Sequence, residues 1–405
     1  MDFTEEHYYK LNRIIMVCLG LWPYNTSAFR KIQIIFYEAL LISFSLCQLN
    51  VFLMKDCSIA ATMRICMFLF CNLFFIIKYT GGLLLTDSFK YIFSRLRYDW
   101  NILKNQTEFE IIQKHADKTR FYTIIFMLIA TSVVLGVISL AFASTILDII
   151  IPLNESRPLR LPIEVEYFVD QQRYFYAISL HMGMTFYAGM MIMTAITTIF
   201  IAYVSHNCAI FEIVSYRLEH MFDEKILEMS KDIREHILHE RLIDAVHLHC
   251  RAVDMTNVLT DNFATLFFIL IVTGVACTTF SVFHIFYLMT LLNEIAIIDL
   301  ISGVGCVLFQ FYALFTGNYI GQDLIDISAN VFQASQTVYL CVHINRYNME
   351  WYAAPLWLQK LILFIMQKSI IHATLKAGGL FEGSLEGFAR LISMTTSYVM
   401  FIHST

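Results

Sequence analysis

Long apolar stretches separated by short polar ones dominate this chain and predict its architecture. A helix needs about 20 predominantly apolar residues to cross the roughly 30 Å hydrocarbon core of a lipid bilayer. Seven stretches reach that length, the last of them barely, and we interpret each as a membrane-spanning helix. They are residues 32–54, 65–85, 121–147, 176–206, 263–292, 295–320 and 385–402.

Two shorter apolar segments are not expected to span. Residues 14–24 are too few to cross a bilayer at about 1.5 Å per residue, and Trp22 beside the helix-ending Pro23 is typical of an interface. We therefore predict an interfacial or re-entrant segment. Residues 356–371 repeat Gln and Lys at 359–360 and 367–368. That polar stripe predicts an amphipathic helix that does not span.

The last apolar stretch carries one polar stripe. Its members recur at steps of three and four, so they share one side of a helix: Glu386, Arg390, Ser393, Ser397, Met400 and Ser404. Leu391, Ile392 and Val399 take the other sides. Two interpretations remain open, because the stripe could pack against neighbouring helices or could line a water-filled path.

Composition excludes a soluble fold. Hydrophobic residues make up 58% of the 405 residues, charged residues 15%, and the mean hydropathy is +0.62. This predicts an all-α, polytopic membrane protein. Glu5 and Glu6 near the start, with no small-residue cleavage site after an apolar core, argue against a secretory signal, so the first spanning helix should direct insertion. A net charge of −5 spread over many loops offers no basic face for nucleic acid.

The distribution of Lys and Arg predicts the orientation. With the N-terminus in the cytosol, 21 of the 28 basic residues lie in cytosolic segments and five in outer ones. The positive-inside rule therefore predicts a cytosolic N-terminus and an extracellular C-terminus. This is the reverse of a G-protein-coupled receptor. The outer loop, residues 152–173, contains a sequon at Asn154, the expected glycosylation site, whereas Asn25 and Asn105 face the cytosol.

The sequence contains no catalytic constellation. It has no Gly-rich phosphate loop, no Gly-x-Ser-x-Gly and no His-Glu-x-x-His, so we expect neither an enzyme nor a cofactor. His236, His239, His247, His249 and Cys250 crowd one segment, but His247 and His249 point to nearly opposite sides of a helix. No metal site is expected there.

Among the ionisable residues in or beside spanning helices, three are candidates for a function. Lys78 is near the inner end of its span, where we expect its amine to reach the interface. Asp299 and Glu294 flank the short outer turn between the fifth and sixth spans. They could attract cations to an outer mouth or be solvated helix ends, and both interpretations remain open. Small residues within several spans likewise predict either close helix packing or an apolar cavity.

Several motifs resemble those of one family. They are Leu-Gly-Leu-Trp-Pro at 19–23, Arg-Leu-Pro-Ile at 160–163, Trp-Tyr at 351–352, and the final region from Ser-Leu at 384–385 to Ser-Tyr at 397–398. The chain resembles the insect odorant receptors over nearly its whole length. The inverted orientation together with the C-terminal pattern is fairly specific to that family.

The resemblance implies a seven-helix, odorant-binding tuning subunit of a ligand-gated, non-selective cation channel. It implies assembly with the odorant receptor co-receptor as a hetero-oligomer, a tetramer, in the plasma membrane of olfactory sensory neuron dendrites. The ligand would be a small, volatile, hydrophobic odorant. A gustatory receptor channel is the rival interpretation, and a seven-helix metabotropic receptor is the alternative from another class.

Residue roles follow from the same resemblance. An odorant pocket among the second, third, fourth and sixth spans would comprise Ile76, Tyr79, Ile138, Ala141, Thr145, Tyr187, Met190, Thr194, Ile297 and Leu300. The pore would be lined by Ser393, Ser397, Met400 and Phe401, with Phe401 narrowing the conducting path. The chain would then divide into six regions. Residues 1–31 are cytosolic and include the re-entrant segment, residues 32–206 form the four-helix ligand-binding bundle, and residues 207–262 form a cytosolic helical extension. Residues 263–320 contain the fifth and sixth spans, residues 321–384 form a cytosolic anchor, and residues 385–405 form the pore-lining seventh span.

Two departures from the family pattern stand out. Lys376-Ala377-Gly378-Gly379 occupies the place of the family's Thr-Ala-Gly-Lys, so a lysine is displaced. Residues 335–346 have no counterpart in the family. We interpret them as an inserted loop or a misread exon boundary.

Overall fold

The structure is a computed structural model that describes residues 8–54, 59–103, 105–150, 159, 161–222, 229–289, 294–343 and 356–404. Within these ranges every regular element is a helix apart from one short hairpin. The elements are α1 (Lys10–Cys18), α2 (Ala28–Met54), α3 (Ile59–Leu84), α4 (Thr86–Ile102), α5 (Gln106–Ala141), α6 (Ala143–Ile150), α7 (Phe175–Glu219), α8 (Lys231–Met289), α9 (Glu294–His343), α10 (Leu356–Ser369), β1 (Lys376–Ala377), β2 (Phe381–Glu382) and α11 (Leu385–Ser404).

The all-α membrane architecture expected from the sequence is confirmed. Six described helices are long and apolar enough to cross a membrane: α2, α3, α5, α7, α8 and α9. Helix α11 forms where the seventh span was predicted but is not among these six. Its crossing of the membrane therefore stays a prediction, as does the orientation of the termini.

Helix α7 is the centre of the bundle. It packs against α3, α5, α8 and α9, and its side chains from Ile192 to Phe211 are buried almost without interruption. A helix that is apolar on all sides is suited either to the core of a bundle or to a membrane. In α7 the burial shows that other helices, and not lipid, cover most of this stretch.

The N-terminal segment packs into the bundle instead of remaining free of it. The amide of Asn12 on α1 donates to the Thr198 hydroxyl of α7 at 2.8 Å, and both side chains are buried. The chain then turns at Gly20, whose φ of +72° favours glycine. The Tyr79 hydroxyl of α3 donates to the carbonyl of Leu19 at 2.9 Å. These contacts attach the segment to two helices of the bundle.

Ion pairs gather at one end of the bundle, which we call the polar end. Arg217 donates two hydrogen bonds to the buried carboxylate of Glu108, at 2.6 and 2.9 Å. The side chains of His115 and Glu212 lie 2.7 Å apart, and this hydrogen bond lowers the pKa of Glu212 to about 2. Polar continuations of α5, α7 and α8 meet here. The end of α7 and the start of α8 are helical within residues 207–262, and the cytosolic location predicted for this extension stays a prediction.

The loop interpretation of residues 335–346 is wrong for the part that the structure describes. Helix α9 continues without a break to His343. Val331, Ala334, Ser335 and Val338 are buried at helical spacing, and α10 packs against α9. Because the segment buries one face at a period of three to four residues, it extends the helix as a packed element. Residues 344–346 lie outside the described residues.

A hairpin joins α10 to α11. Strands β1 and β2 are antiparallel, and the turn between them uses positive φ at Gly378 (+59°) and Gly379 (+70°). The Gly378 amide donates to the Ala264 carbonyl of α8 at 3.2 Å. The turn therefore explains both glycines of Lys376-Ala377-Gly378-Gly379, the sequence that differs from the family pattern.

Helix α11 packs on α8 and α9 through one face. That face consists of residues at helical spacing, namely Gly387, Leu391, Thr395 and Val399. The members of the polar stripe from Glu386 to Met400 lie on the exposed side. They therefore do not pack against neighbouring helices within a single chain.

Candidate functional site

A cavity of about 150 Å³ lies among α3, α5, α7, α8 and α9, and the hairpin lines its other end. Among its lining residues are Phe74, Lys78, Phe126, Ile129, Met190, Met193, Thr194, Thr197, Phe263, Phe267, Phe309, Tyr312, Lys376, Glu382 and Leu391. Most of them are apolar or aromatic. A cavity of this volume is comparable with one that admits benzene, so the space suits a small apolar molecule.

Aromatic pairs hold the walls of the cavity. Phe200 and Phe267 are arranged edge to face with ring centroids 4.6 Å apart, and Phe126 lies 5.2 Å from Tyr312. Such contacts add about 0.5–1.5 kcal/mol each beyond the area that they bury. The pairs connect α7 to α8 and α5 to α9, so the shape of the cavity depends on the packing of all four helices.

The cavity contains one buried charged group, the amine of Lys78. Its side chain is 6% exposed, and Nζ donates to the Thr197 hydroxyl at 2.5 Å. The ring of Phe74 lies 6.0 Å from the amine. The expectation that Lys78 reaches the interface is wrong, because its face of α3 is turned toward α7 and the amine projects into the bundle. Lys376 and Glu382 also line the cavity, at the hairpin end, and both are exposed.

Two of the predicted pocket residues, Met190 and Thr194, line this cavity. The Thr194 hydroxyl donates to the Met190 carbonyl of its own helix at 2.9 Å, so it presents mainly its methyl group. The other predicted residues whose side chains are described do not line the cavity.

Tyr79 is fully buried against the N-terminal segment, and Ile76 packs beside the core. Ile138 and Tyr187 are exposed on the outside of the bundle, and Ala141 is buried at the end of α5. Thr145 belongs to α6, because the helix breaks at Phe142, and Leu300 is half-buried on α9. Ile297 falls outside the residues whose side chains are described.

A signal in the sequence could have identified the residues that were missed. Phe74 and Lys78 are one turn apart on α3, and Met190, Met193, Thr194 and Thr197 form one face of α7. An ionisable residue within a span is a functional candidate by default. Combining that rule with the threonines of α7 would have pointed to Lys78, Thr194 and Thr197, and so to this cavity.

The predicted pore residues lie together on the exposed side of α11. Met400 and Phe401 are 69% and 66% exposed. The Ser393 hydroxyl donates to the Ala389 carbonyl at 3.0 Å, and that of Ser397 donates to the Ser393 carbonyl at 2.9 Å. On the opposite face, Leu391 lines the cavity. Helix α11 thus touches the cavity on one side and presents the predicted pore stripe on the other.

An ion-pair cluster lies at the end of the bundle opposite the polar end. Arg64 of α3 donates to Asp299 of α9 at 2.6 Å and also pairs with Glu164. Asp299 is therefore neither a free charge at a mouth nor a solvated helix end, because Arg64 compensates it. The side chain of Glu294 and the sequon residue Asn154 both lie outside what the structure describes.

Comparisons with known proteins agree on one family. A family model for the 7tm odorant receptors matches residues 58–396. The fold is similar to that of the insect olfactory receptor OR5 from Machilis hrabei solved in complex with eugenol, at 12% identity and a TM-score of 0.72 over 99% of this chain and 98% of that chain. A second structure of that receptor matches at 12% identity and a TM-score of 0.69, over 98% and 97%. No curated protein matches the sequence.

Proposed function

Because this chain belongs to the 7tm odorant receptor family, we propose that it is the odorant-binding subunit of a ligand-gated, non-selective cation channel. The odorant binds in the cavity among α3, α5, α7, α8 and α9. A receptor of similar fold was solved in complex with eugenol, which supports a small odorant as the ligand. An aromatic, closely packed cavity of this kind suits such a molecule.

One observation supports a link between odorant binding and channel gating. Leu391 of α11 forms part of the cavity wall, while Ser393, Ser397, Met400 and Phe401 of the same helix are turned away from it. An odorant that displaces Leu391 moves the helix that carries the pore residues. Binding favours the open state only to the extent that the odorant has a higher affinity for the open cavity than for the closed one.

The exposed stripe of α11 is the expected pore surface and requires other subunits to complete it. We propose that these are subunits of the odorant receptor co-receptor, in a tetramer. Phe401 would then close a narrow path by dewetting it, and the serine hydroxyls would support hydrated ions next to it. With the N-terminus in the cytosol and the C-terminus outside, the assembly belongs in the plasma membrane of the dendrites of olfactory sensory neurons.

Whole-cell current recording tests this function. We expect odorant-evoked cation currents only when the chain is expressed together with the co-receptor, and we expect them to persist in excised patches without nucleotides. Currents that require a G protein or a nucleotide would contradict the channel and favour a metabotropic receptor. Tastant responses without the co-receptor would favour the gustatory alternative.

The pore assignment has a separate test. Phe401→Ser should raise the leak current without odorant or alter the ion selectivity, because a polar side chain allows water into the constriction. The substitution should be repeated with the matching position of the co-receptor changed, since the co-receptor subunits dilute the effect. Unaltered leak, selectivity and conductance in both backgrounds would remove Phe401 from the gate.

Orientation is tested by epitope staining. An epitope after Thr405 should be stained on intact cells, and an epitope before Met1 should be stained only after permeabilisation. The reverse pattern would contradict the receptor-channel topology.

A further inference from the structure

The amine of Lys78 has no acidic partner in the described part of the protein. No described carboxylate lies within ion-pair distance of Nζ, and the Thr197 hydroxyl is the partner that the amine does have. Moving an ammonium group from water into apolar surroundings is costly unless an opposite charge accompanies it. The described residues thus include a buried amine that lines the cavity and has no acidic partner among them, so an anionic ligand would supply the counter-charge that favours its protonated form.

Four other basic side chains that bridge helices contrast with Lys78. Each has a carboxylate at its charged end: Arg64 pairs with Asp299, Lys118 with Asp323, Arg217 with Glu108 and Arg251 with Asp99. The described residues supply a carboxylate to each of these four cations but none to the buried amine of Lys78. Glu382 lines the cavity too, but it is exposed on the hairpin and is not within ion-pair distance of the amine.

On these grounds, and resting on the proposed odorant-receptor function, we propose that the ligand is a small carboxylic acid whose carboxylate pairs with Lys78. The Thr197 hydroxyl is placed to bind the same carboxylate. It accepts a hydrogen bond from Nζ and retains its own proton, which it donates to the second carboxylate oxygen. Charge-assisted hydrogen bonds of this type are about twice as strong as neutral ones.

The rest of the cavity determines the body of the ligand. Phe74, Phe126, Met193 and Tyr312 surround the space with apolar surface. With a cavity volume of about 150 Å³, the ligand has room for one ring or a short chain beyond its carboxylate. A long fatty acid does not fit this space.

Two matched ligand series test the proposal. The first is phenylacetic acid, phenylacetaldehyde and 2-phenylethanol, and the second is hexanoic acid, hexanal and 1-hexanol. Each series is measured by current in cells that express the chain with the co-receptor. It is also measured by the thermal stabilisation of the purified full-length complex, which reports binding whether or not the channel conducts.

We expect at least one acid to act at concentrations at least tenfold below those of the aldehyde and the alcohol of its series. Lys78→Met should raise the concentration of acid required by tenfold or more while changing the response to the neutral compounds less than threefold. Lys78→Arg should preserve part of the preference for acids. Thr197→Val should give a smaller loss than Lys78→Met, because it removes one hydrogen bond and leaves the charge.

Lys114→Met is the matched control, since this lysine is on α5, outside the cavity, with a largely exposed side chain. It should leave the preference for acids unchanged. If Lys78→Met folds poorly, Lys78→Arg and Thr197→Val still test whether the amine and the hydroxyl select acids, through the ratio of the stabilisation by the acid to that by the alcohol. If neither acid stabilises the complex, or if neutral compounds bind as well as the acids and Lys78→Met makes no difference, the proposal is overturned. Stabilisation by an acid without any current would instead contradict the channel function and support the binding site.

Discussion

The attachment of α11 to α9 depends on Gly321, and Gly321→Ala should weaken it. A Cβ atom at this position would lie 2.1 Å from the Gly383 carbonyl oxygen and 2.7 Å from its carbon. Ordinary van der Waals contact begins at 3.4 Å. The obstacle is backbone, so a rotamer change cannot relieve it, and the turn before α11 must move away from α9 by more than an ångström.

That movement also breaks hydrogen bonds. The Ser384 amide donates to the Asn318 side chain, and the Leu385 amide donates to the Gln322 side chain, each at 3.2 Å. Neither bond survives a displacement of an ångström away from α9. Overpacking costs about 1–3 kcal/mol and each lost hydrogen bond about 1 kcal/mol. Replacing a helical glycine by alanine returns up to about 1 kcal/mol, so the net loss of stability should be about 2–4 kcal/mol.

Gly305→Ala is the matched control on the same helix. A Cβ atom at Gly305 meets nothing within 4 Å, so the same chemical change should be neutral or slightly stabilising. The assay is the thermal unfolding of both purified variants in detergent, together with hydrogen exchange of the amides at 384–388, which report the attachment of α11 locally. Equal melting temperatures and equal protection in the two variants would refute the reasoning.

Three other predictions concern different parts of the bundle. Burial lowers the pKa of His249 from 6.5 to about 4. Between those pH values the unfolded chain binds a proton that the folded chain does not, so the free energy of unfolding should fall by up to about 3 kcal/mol on acidification. His249→Phe should flatten the dependence of the melting temperature on pH. Deleting residues 335–343 should abolish surface expression, because they are packed helix; normal currents would contradict this. Gly189→Ala should lower the melting temperature, since its Cβ would lie 2.2 Å from the Phe75 ring; wild-type stability would show that the ring yields.

The sequence alone determined the long apolar helices of this protein and the sides on which some of them are polar. A span depends on the length of an apolar stretch, and an amphipathic helix on the spacing of polar residues, so both are local properties. The predicted stretch at 356–371 became α10 (Leu356–Ser369), and the stripe members Ser393, Ser397 and Met400 lie on one side of α11. Motifs such as Leu-Gly-Leu-Trp-Pro indicated the family for the same reason, because they are read along the chain.

The location of the cavity was decided by the tertiary structure. The depth of Lys78 along α3 follows from the sequence, but whether its amine reaches the interface or points into the bundle depends on how α3 is rotated against α7. That rotation is fixed by contacts between residues distant in the chain, such as Gly189 against Phe75 and Lys78 against Thr197. The pairing of Asp299 with Arg64 is likewise a contact across 235 positions. Periodicity along one helix carries no information about the face that another helix covers, and only packing supplies it.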